Sequence, residues 1–280
     1  MTGPILVTGG GGMLAQALGT TFGDAADLVA RTELDITDAL AVRRAVAGRS
    51  AVINTAAHTA VDDAESNEDA AWEINARGAK NVAEACAESG VRLIHVSTDY
   101  VFNGRASGPY SEDADTDPQS AYGRSKLGGE LAVLAAHPAG ASIARTAWLY
   151  GAGGPSFVAT MLAKARAGEP VSVVTDQMGQ PTWTRDLAER IRLLLDVPPG
   201  LYHATNSGAC SWWELAVAVY EEVGAPTDLV SRTTSDAFVR PAPRPANSVL
   251  GDDAARSAGL PPMPTWRDAL VSALRADFSV

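Results

Sequence analysis

Tyr122 and Lys126 lie four residues apart in the run Tyr122-Gly123-Arg124-Ser125-Lys126. On a helix, positions i and i+4 share one face, about 6 Å apart. A phenol beside a fixed positive charge is an acid whose anion is stabilised, so its pKa is expected below that of a free tyrosine. Such an acid suits ketone reduction, in which the oxygen gains a proton as the carbon gains a hydride. The chain has six tyrosines, so this spacing carries little weight alone. Its weight comes from what lies upstream.

Thr8-Gly9-Gly10-Gly11-Gly12-Met13-Leu14-Ala15 follows an apolar run and opens a helical pattern. Two registers fit, Gly9-x-x-Gly12-x-x-Ala15 and Gly10-x-Gly12-x-x-Ala15. In either, glycine permits a tight turn and close approach to a pyrophosphate, and the small Ala15 lets helix and sheet pack closely. The helix N-terminus adds free N–H groups and partial positive charge. At the tip of the second strand an acid would read a ribose 2′-hydroxyl and an arginine a 2′-phosphate. The chain offers Arg31, with Glu33 two residues later. Arg31 leans toward NADPH, with NADH the alternative, and a solvated surface role also fits it. Asp35 and Ile36 could sit at the adenine edge; helix capping accounts for Asp35 and Asp38 equally well.

The run Asn54-Thr55-Ala56-Ala57-His58-Thr59-Ala60-Val61-Asp62 leaves the third strand with small residues fit to line a cofactor groove. His58 either faces the nicotinamide side or is a satisfied polar group, and no catalytic role is assigned to it. A solvated helix start explains most of Asp62, Asp63 and Glu65. The fourth strand ends in Ser97-Thr98-Asp99-Tyr100. A hydroxyl there can donate to a substrate carbonyl, and Thr98 is the candidate because Ser97 alternates to the other face. Ser97 is expected to bond to local backbone. No His, Cys and carboxylate grouping has metal-ligand spacing, so no catalytic metal is expected.

These residues need rigid positions. Strand patterns at 5–7, 27–30, 51–54, 93–97 and 141–145 alternate with helical patterns near 13–22, 38–46, 70–89 and 121–136. Such alternation predicts an α/β fold, a doubly wound parallel sheet of Rossmann-like form. Ligands then bind beyond the carboxyl ends of the strands, where the candidate residues fall. Residues 1–148 are read as a dinucleotide-binding domain, with parts of 170–205 returning to it, and 149–280 as a smaller substrate-binding domain. The second part shows helical patterns at 157–167, 185–195, 212–223 and 266–276, and strands at 171–174 and 201–204. The proline-rich 240–248 is expected as an ordered loop or extended arm.

Hydrophobic residues make up 46% and charged residues 20%, as in ordinary globular proteins. The net charge of −11 argues against nonspecific binding to nucleic acid or an anionic membrane. Two cysteines are too few for a disulfide framework, and Cys86 reads as a packed thiol. No basic leader precedes the first apolar run, and no run reaches the ~18–20 residues needed to span a bilayer. The expectation is a cytoplasmic protein.

Residues 8–15, 54–62, Asn75, residues 97–102 and Tyr122-x-x-x-Lys126, in that order, resemble the extended short-chain dehydrogenase/reductase family. Residues 56–65, 145–150, 176–182, 200–203 and 244–248 are similar to a branch that reduces a 4-keto sugar carried on dTDP. The resemblance spans nearly the whole chain and is weakest near 224–238. It implies that Tyr122 is the proton donor and that Lys126 binds the nicotinamide ribose and lowers the phenol pKa. Thr98 would orient the 4-keto oxygen, and Thr98, Asp99 and Trp148 would meet the sugar nucleotide. Gly12, Met13 and Leu14 would touch the pyrophosphate, and Ala56, Ala57 and His58 the cofactor groove. Some members are dimers joined through Mg2+ held by an acid just after the glycine loop. This chain has Ala17 there, beside Gln16, leaving monomer or homodimer open. Another sugar-nucleotide reductase or epimerase of the same family, and a noncatalytic NADP-binding regulatory subunit, are the competing expectations. The intact Thr98, Tyr122 and Lys126 disfavour the second.

Overall fold

Strands β1 (Ile5–Thr8), β2 (Ala26–Val29), β3 (Ala51–Asn54), β4 (Arg92–Thr98), β5 (Ala141–Thr146) and β6 (Leu201–His203) form one six-stranded sheet in the computed structural model, which describes residues 3–280. β1, β3 and β5 are buried along their whole length, which is why they read as unbroken apolar or small runs. The order across the sheet is β2-β1-β3-β4-β5-β6, with every neighbouring pair parallel. The order reverses between β1 and β3, opening a crevice at their carboxyl ends.

Helices cover both faces. On one, Leu14, Ala15 and Leu18 of α1 (Met13–Phe22) meet Leu187, Ile191 and Leu194 of the helix Thr184–Leu194 over Val7, Ile53 and Ile94. On the other, α2 (Ala39–Val46), α3 (Ala79–Ser89) and α4 (Ala121–Ala136) cover Leu6, Val52, Leu93 and Ile143. Cys86 is fully buried there, and burial pushes its thiol up to about 12. Strand β6 and the helix Thr184–Leu194 come from the second half of the chain yet belong to this layered unit.

The structure corrects the expected helix at 70–89. A helix Glu68–Trp72 passes into a π-turn at Glu73–Gly78 before α3 begins. The interruption sits at Asn75, whose side chain is fully committed. Asn75 Oδ1 accepts from His58 N (2.8 Å), and Nδ2 donates to His58 O (3.0 Å) and Ser125 Oγ (2.9 Å). Its carbonyl presses against Gly129 so closely that a Cβ there would lie 2.2 Å away. A π-bulge is a common device for aiming one side chain out of helical register.

The remaining chain builds a second core around Tyr150, Leu162, Trp183, Leu215, Tyr220 and Leu270. Several of its strands are only two residues long: Leu149–Tyr150 pairs with Thr182–Trp183, and Met178–Gly179 with Cys210–Ser211. Residues 240–248 form no helix or strand, as the prolines predict. They are fixed instead by Met178 N donating to Ala246 O (2.8 Å) and Ser248 N to Met178 O (2.8 Å). Among the described residues no helix is long and apolar enough to cross a membrane.

One ion pair joins α4 to the sheet. Arg145 on β5 donates through Nε to Glu130 Oε1 (2.9 Å) and through Nη2 to Oε2 (2.7 Å), with side chains 4% and 2% exposed. Breaking such a pair strands a charge without solvent. We therefore expect Glu130→Leu to cost about 3–5 kcal/mol in urea denaturation, with Glu130→Leu/Arg145→Met recovering most of it. A single variant as stable as the parent would contradict this reading of the pair.

Candidate active site

The glycine loop is pressed between the tips of β2 and β3. Gly9 has φ +74°, and a Cβ there would lie 2.8 Å from Ala56 N; at Gly10 it would lie 2.9 Å from Val29 N. Neither position accepts a side chain. Gly11 instead faces open space. The first turn of α1 carries no side-chain cap and no acid, so its N–H groups and partial positive charge are available to an anion. Gly12, Met13 and Leu14 line a cleft of about 1320 Å³ together with Ala57, Thr98, Asp99, Tyr122, Lys126 and Trp148. The bare helix start and the crowded turn fit a dinucleotide pyrophosphate.

Other expected cofactor residues stand outside the lining. Gly9 and Ala56 support the loop from behind. Arg31 is exposed, with Nη2 3.6 Å from Asp35 Oδ2. Asp35 Oδ1 accepts from Thr37 N (3.0 Å) and Thr37 Oγ1 (2.8 Å), and these bonds hold its carboxyl below the usual range. The helix cap expected of Asp35 or Asp38 falls on Asp38, whose Oδ1 accepts from Leu40 N (2.9 Å) and Ala41 N (3.0 Å). Ile36 is buried against Gly78, and Asn81 Nδ2 donates to its carbonyl (3.0 Å). His58 is held by Asn75 through its backbone, and its Nε2 lies 3.2 Å from Asp63 Oδ2.

Beneath the loop, a polar ladder ties three strand tips in register. Thr8 Oγ1 donates to Asn54 Oδ1 (2.6 Å), and Asn54 Nδ2 to His95 Nδ1 (3.0 Å). Burial keeps His95 well below the ordinary histidine range, in the neutral form that can accept this bond.

α4 brings Tyr122 and Lys126 to the end of β4. Ser120 caps the helix by accepting from Gly123 N (3.1 Å), and Glu65 Oε1 accepts from Ala121 N (2.9 Å). Tyr100 packs edge-on against the Tyr122 ring, with centroids 5.5 Å apart. The predicted electrostatics need correction. Lys126 Nζ donates to the Val96 carbonyl (2.7 Å), and burial pulls its ammonium down to about 8. Burial also outweighs all else at Tyr122, pushing the phenol up to about 12 although a hydrogen bond with Thr98 opposes it. The phenol therefore keeps its proton near neutral pH and can act as a donor.

Thr98 Oγ1 accepts from Tyr100 N (3.2 Å) and donates to Asp99 Oδ1 (2.9 Å). Asp99 is 3% exposed and its Oδ2 has no partner. Burial pushes its carboxyl up to about 6, against hydrogen bonds from Ser248 and Thr98. Ser97 does not bond to local backbone as expected: its Oγ is buried without a partner. The acids after β3 are also more than a solvated helix start. Asp62 Oδ2 pairs with Arg244 Nη2 (2.9 Å) and Oδ1 accepts from Ala242 N (3.2 Å), drawing the proline-rich arm over the cleft.

Sequence reasoning assigned no role to Arg244, Glu130 or Trp212. Glu130 had one signal, its position two turns beyond Tyr122 on the face already singled out. Arg244 and Trp212 reach the cleft through contacts 182 and 64 residues away, with Asp62 and Trp148, which no local spacing encodes. Among the described residues no group of three or more His, Cys, Asp or Glu gathers as a metal site.

The chain matches the family model described as RmlD substrate binding domain over residues 1–278. It is 46% identical to the dTDP-4-dehydrorhamnose reductase of Streptomyces griseus, over 97% of this chain and 93% of that protein. It is 48% identical to a Streptomyces antibioticus protein named probable dTDP-4,6-dihydroxy-2-methyloxan-3-one 4-ketoreductase, over 95% of this chain and 92% of the relative. The crystal structure of dTDP-4-dehydrorhamnose reductase from Bacillus anthracis str. Ames in complex with NADP is similar throughout, with TM-score 0.94 and 34% identity over 98% of this chain and 99% of that one.

Asp99 yields a stability prediction. Its folded pKa of about 6 exceeds the unfolded 3.8, so the native state binds more protons between those values. Stability therefore falls as pH rises through that window and stays reduced above it. Asp99→Asn should raise stability near pH 8 by on the order of 1–3 kcal/mol and leave it little changed near pH 4. Equal thermal-melt gains at both pH values would refute a buried, strained carboxylate.

Proposed function

The chain belongs to the RmlD substrate binding domain family, within the extended short-chain dehydrogenases/reductases, and from that premise we propose that it reduces the 4-keto group of dTDP-4-dehydro-6-deoxy-L-mannose to give dTDP-L-rhamnose. The observation that carries this is the meeting of Tyr122, Thr98, Asp99 and Lys126 in the cleft that begins at the glycine loop. The NADP in the Bacillus anthracis relative supports NADPH as the cofactor, held at the pyrophosphate by Gly12, Met13 and Leu14. Residues 1–148, with the helix Thr184–Leu194 and β6, would hold the cofactor; most of 149–280 would hold the sugar nucleotide. The enzyme would work in the cytoplasm, as a monomer or homodimer.

Bound NADPH supplies the hydride that converts the C4 carbonyl to an alcohol. Tyr122 gives its phenolic proton to O4 as negative charge develops there, which removes the need for a free oxyanion. Its high pKa ensures that the proton is present at neutral pH. Lys126, on the next turn of the helix, places positive charge behind the phenol and contacts the ribose. Thr98 carries one proton, committed to Asp99 in the free protein. Donation to O4 requires the Thr98 hydroxyl to turn from Asp99 to the substrate oxygen. Trp148 forms the wall against the sugar.

One observation favours a second reading of the substrate. The 48% identical Streptomyces antibioticus relative is named for a different dTDP-linked keto sugar, so the cleft could serve another 4-keto-6-deoxy sugar by the same chemistry.

Tyr122→Phe should lower kcat about 10²–10⁴-fold while leaving NADPH affinity near that of the parent. The assay follows NADPH and NADH oxidation with the dTDP-4-keto-L-sugar and identifies the product. Near-normal turnover by this variant would remove Tyr122 from the mechanism. Product formation without net NADPH consumption would point to an epimerase instead.

A further inference from the structure

Trp148 is held in a backbone conformation that large side chains avoid. Its φ is +47°, the left-handed region, and the only other non-glycine there among the described residues is Ser279, next to the last residue. Strain of this kind persists only where surrounding contacts over-determine it, and it concentrates at functional sites. The contacts are visible. The indole stacks on Trp212, with ring centroids 3.5 Å apart and planes 6° from parallel. On the same indole a Cβ at Gly179 would fall 2.4 Å from Trp148 Cε2, so the ring occupies the space an ordinary side chain would need. Gly179 itself has no positive φ; only the indole excludes a larger residue.

The two jaws belong to one structural unit. Gly179 lies in the strand Met178–Gly179, opposite Cys210 in the strand Cys210–Ser211, and Trp212 follows directly. Trp212 is then fixed as the first residue of a helix by a capping box, in which Ser211 Oγ accepts from Glu214 N (3.2 Å) and Glu214 Oε2 accepts from Ser211 N (2.6 Å). Phe157 packs tilted on the outer side of Trp212, with centroids 4.6 Å apart. Thr182 N, three residues beyond Gly179, donates to the Trp148 carbonyl (3.2 Å). Backbone and ring of Trp148 are thus gripped by the same few residues.

We infer that Gly179 and Trp212 are positioning residues that set the angle of Trp148 and so determine which 4-keto sugars can present their carbonyl to Tyr122. The inference rests on the reading of Trp148 as the sugar wall. Because Trp148 lies two residues beyond the end of β5, where Thr146 is in register beside Thr98, a tilt of the indole moves the wall relative to the proton donor. Gly179 stands outside the cleft lining and reaches it only through the indole, whereas Trp212 also lines the cleft beside Trp148.

The test uses Gly179→Ala, Trp212→Leu, Trp212→Phe and Trp148→Leu in the full chain. Stacked indoles give an exciton couplet in far-ultraviolet circular dichroism, which reports the Trp148–Trp212 geometry without turnover. Gly179→Ala keeps every aromatic ring, so it tests position independently of core packing. We expect Gly179→Ala and Trp212→Leu to lose or distort the couplet and to raise KM for the dTDP-4-keto sugar by up to about tenfold, the range of one aromatic contact. NADPH affinity should stay unchanged, and Trp212→Phe should restore most of the KM. If Trp148→Leu raises KM while folded Gly179→Ala and Trp212→Leu do not, the jaws have no positioning role and the inference falls. If Trp148→Leu leaves KM unchanged, the sugar-wall reading itself falls.

Discussion

The buried bond between Glu130 and Arg145 sets the rotation of α4, and the rest of the site depends on that rotation. Tyr122, Lys126 and Glu130 follow one another at four-residue intervals and so form one stripe. Half of the residues of α4 are buried, and the buried stripe mixes polar with apolar side chains, so apolar packing alone does not fix how it turns about its axis. Polar contacts do so instead. Glu130 locks to β5, Lys126 Nζ reaches the Val96 carbonyl on β4, and Gly129 admits the Asn75 carbonyl on the opposite side. Arg145 also lies over the Phe102 ring, 4.9 Å from its centroid, which ties the segment after Thr98 to the same guanidinium. A buried ion pair adds little net stability over an apolar pair of equal volume, yet breaking one partner is costly. That asymmetry suits a contact whose work is register.

Inside the cleft, burial defeats charge pairing. The phenol of Tyr122 moves up to about 12, the ammonium of Lys126 down to about 8 and the carboxyl of Asp99 up to about 6. All three shifts favour the neutral form, and in all three desolvation is the largest cause. The simple expectation of a lysine lowering a nearby tyrosine fails because Lys126 spends its hydrogen bond on backbone rather than on the phenol. For a proposed proton donor this is no handicap. A reduction starts from protonated tyrosine, and a dry site both retains that proton and strengthens its interaction with a developing oxyanion.

Much of the sheet was legible because its signals are local. The bounds of α1, α4 and β3 fall where the pattern places them, since apolar periodicity and glycine punctuation are properties of adjacent residues. The π-turn at Asn75 was not legible, because the partners that hold its side chain, His58 and Ser125, are distant in sequence. The two-residue strands around Trp148 and Gly179 escape any periodicity, which needs several residues to register. Asp62 illustrates the same limit: as a residue type it reads as a solvated helix start, and only the arm 180 residues away gives it partners. Asp38 shows the reverse case, where the plain local reading as a helix cap describes what the carboxylate does.

This division between local and distant determinants also separates chemistry from substrate choice. The proposed proton donor and the phosphate turn sit on regular elements of the sheet layer, whose geometry is fixed by many redundant contacts. The proposed sugar side is built from the Trp148–Trp212 stack, two-residue ribbons and an arm drawn across by Asp62 and Arg244. Each of these rests on a handful of side chains, so a substitution among them would reshape the proposed sugar wall without disturbing the sheet layer. Relatives of near-equal identity to this chain, 46% and 48%, carry names for different dTDP-linked keto sugars, as such an arrangement would allow. Overall identity therefore weighs lightly on which sugar is reduced, which leaves the proposed wall at Trp148 as the place where that choice would be made.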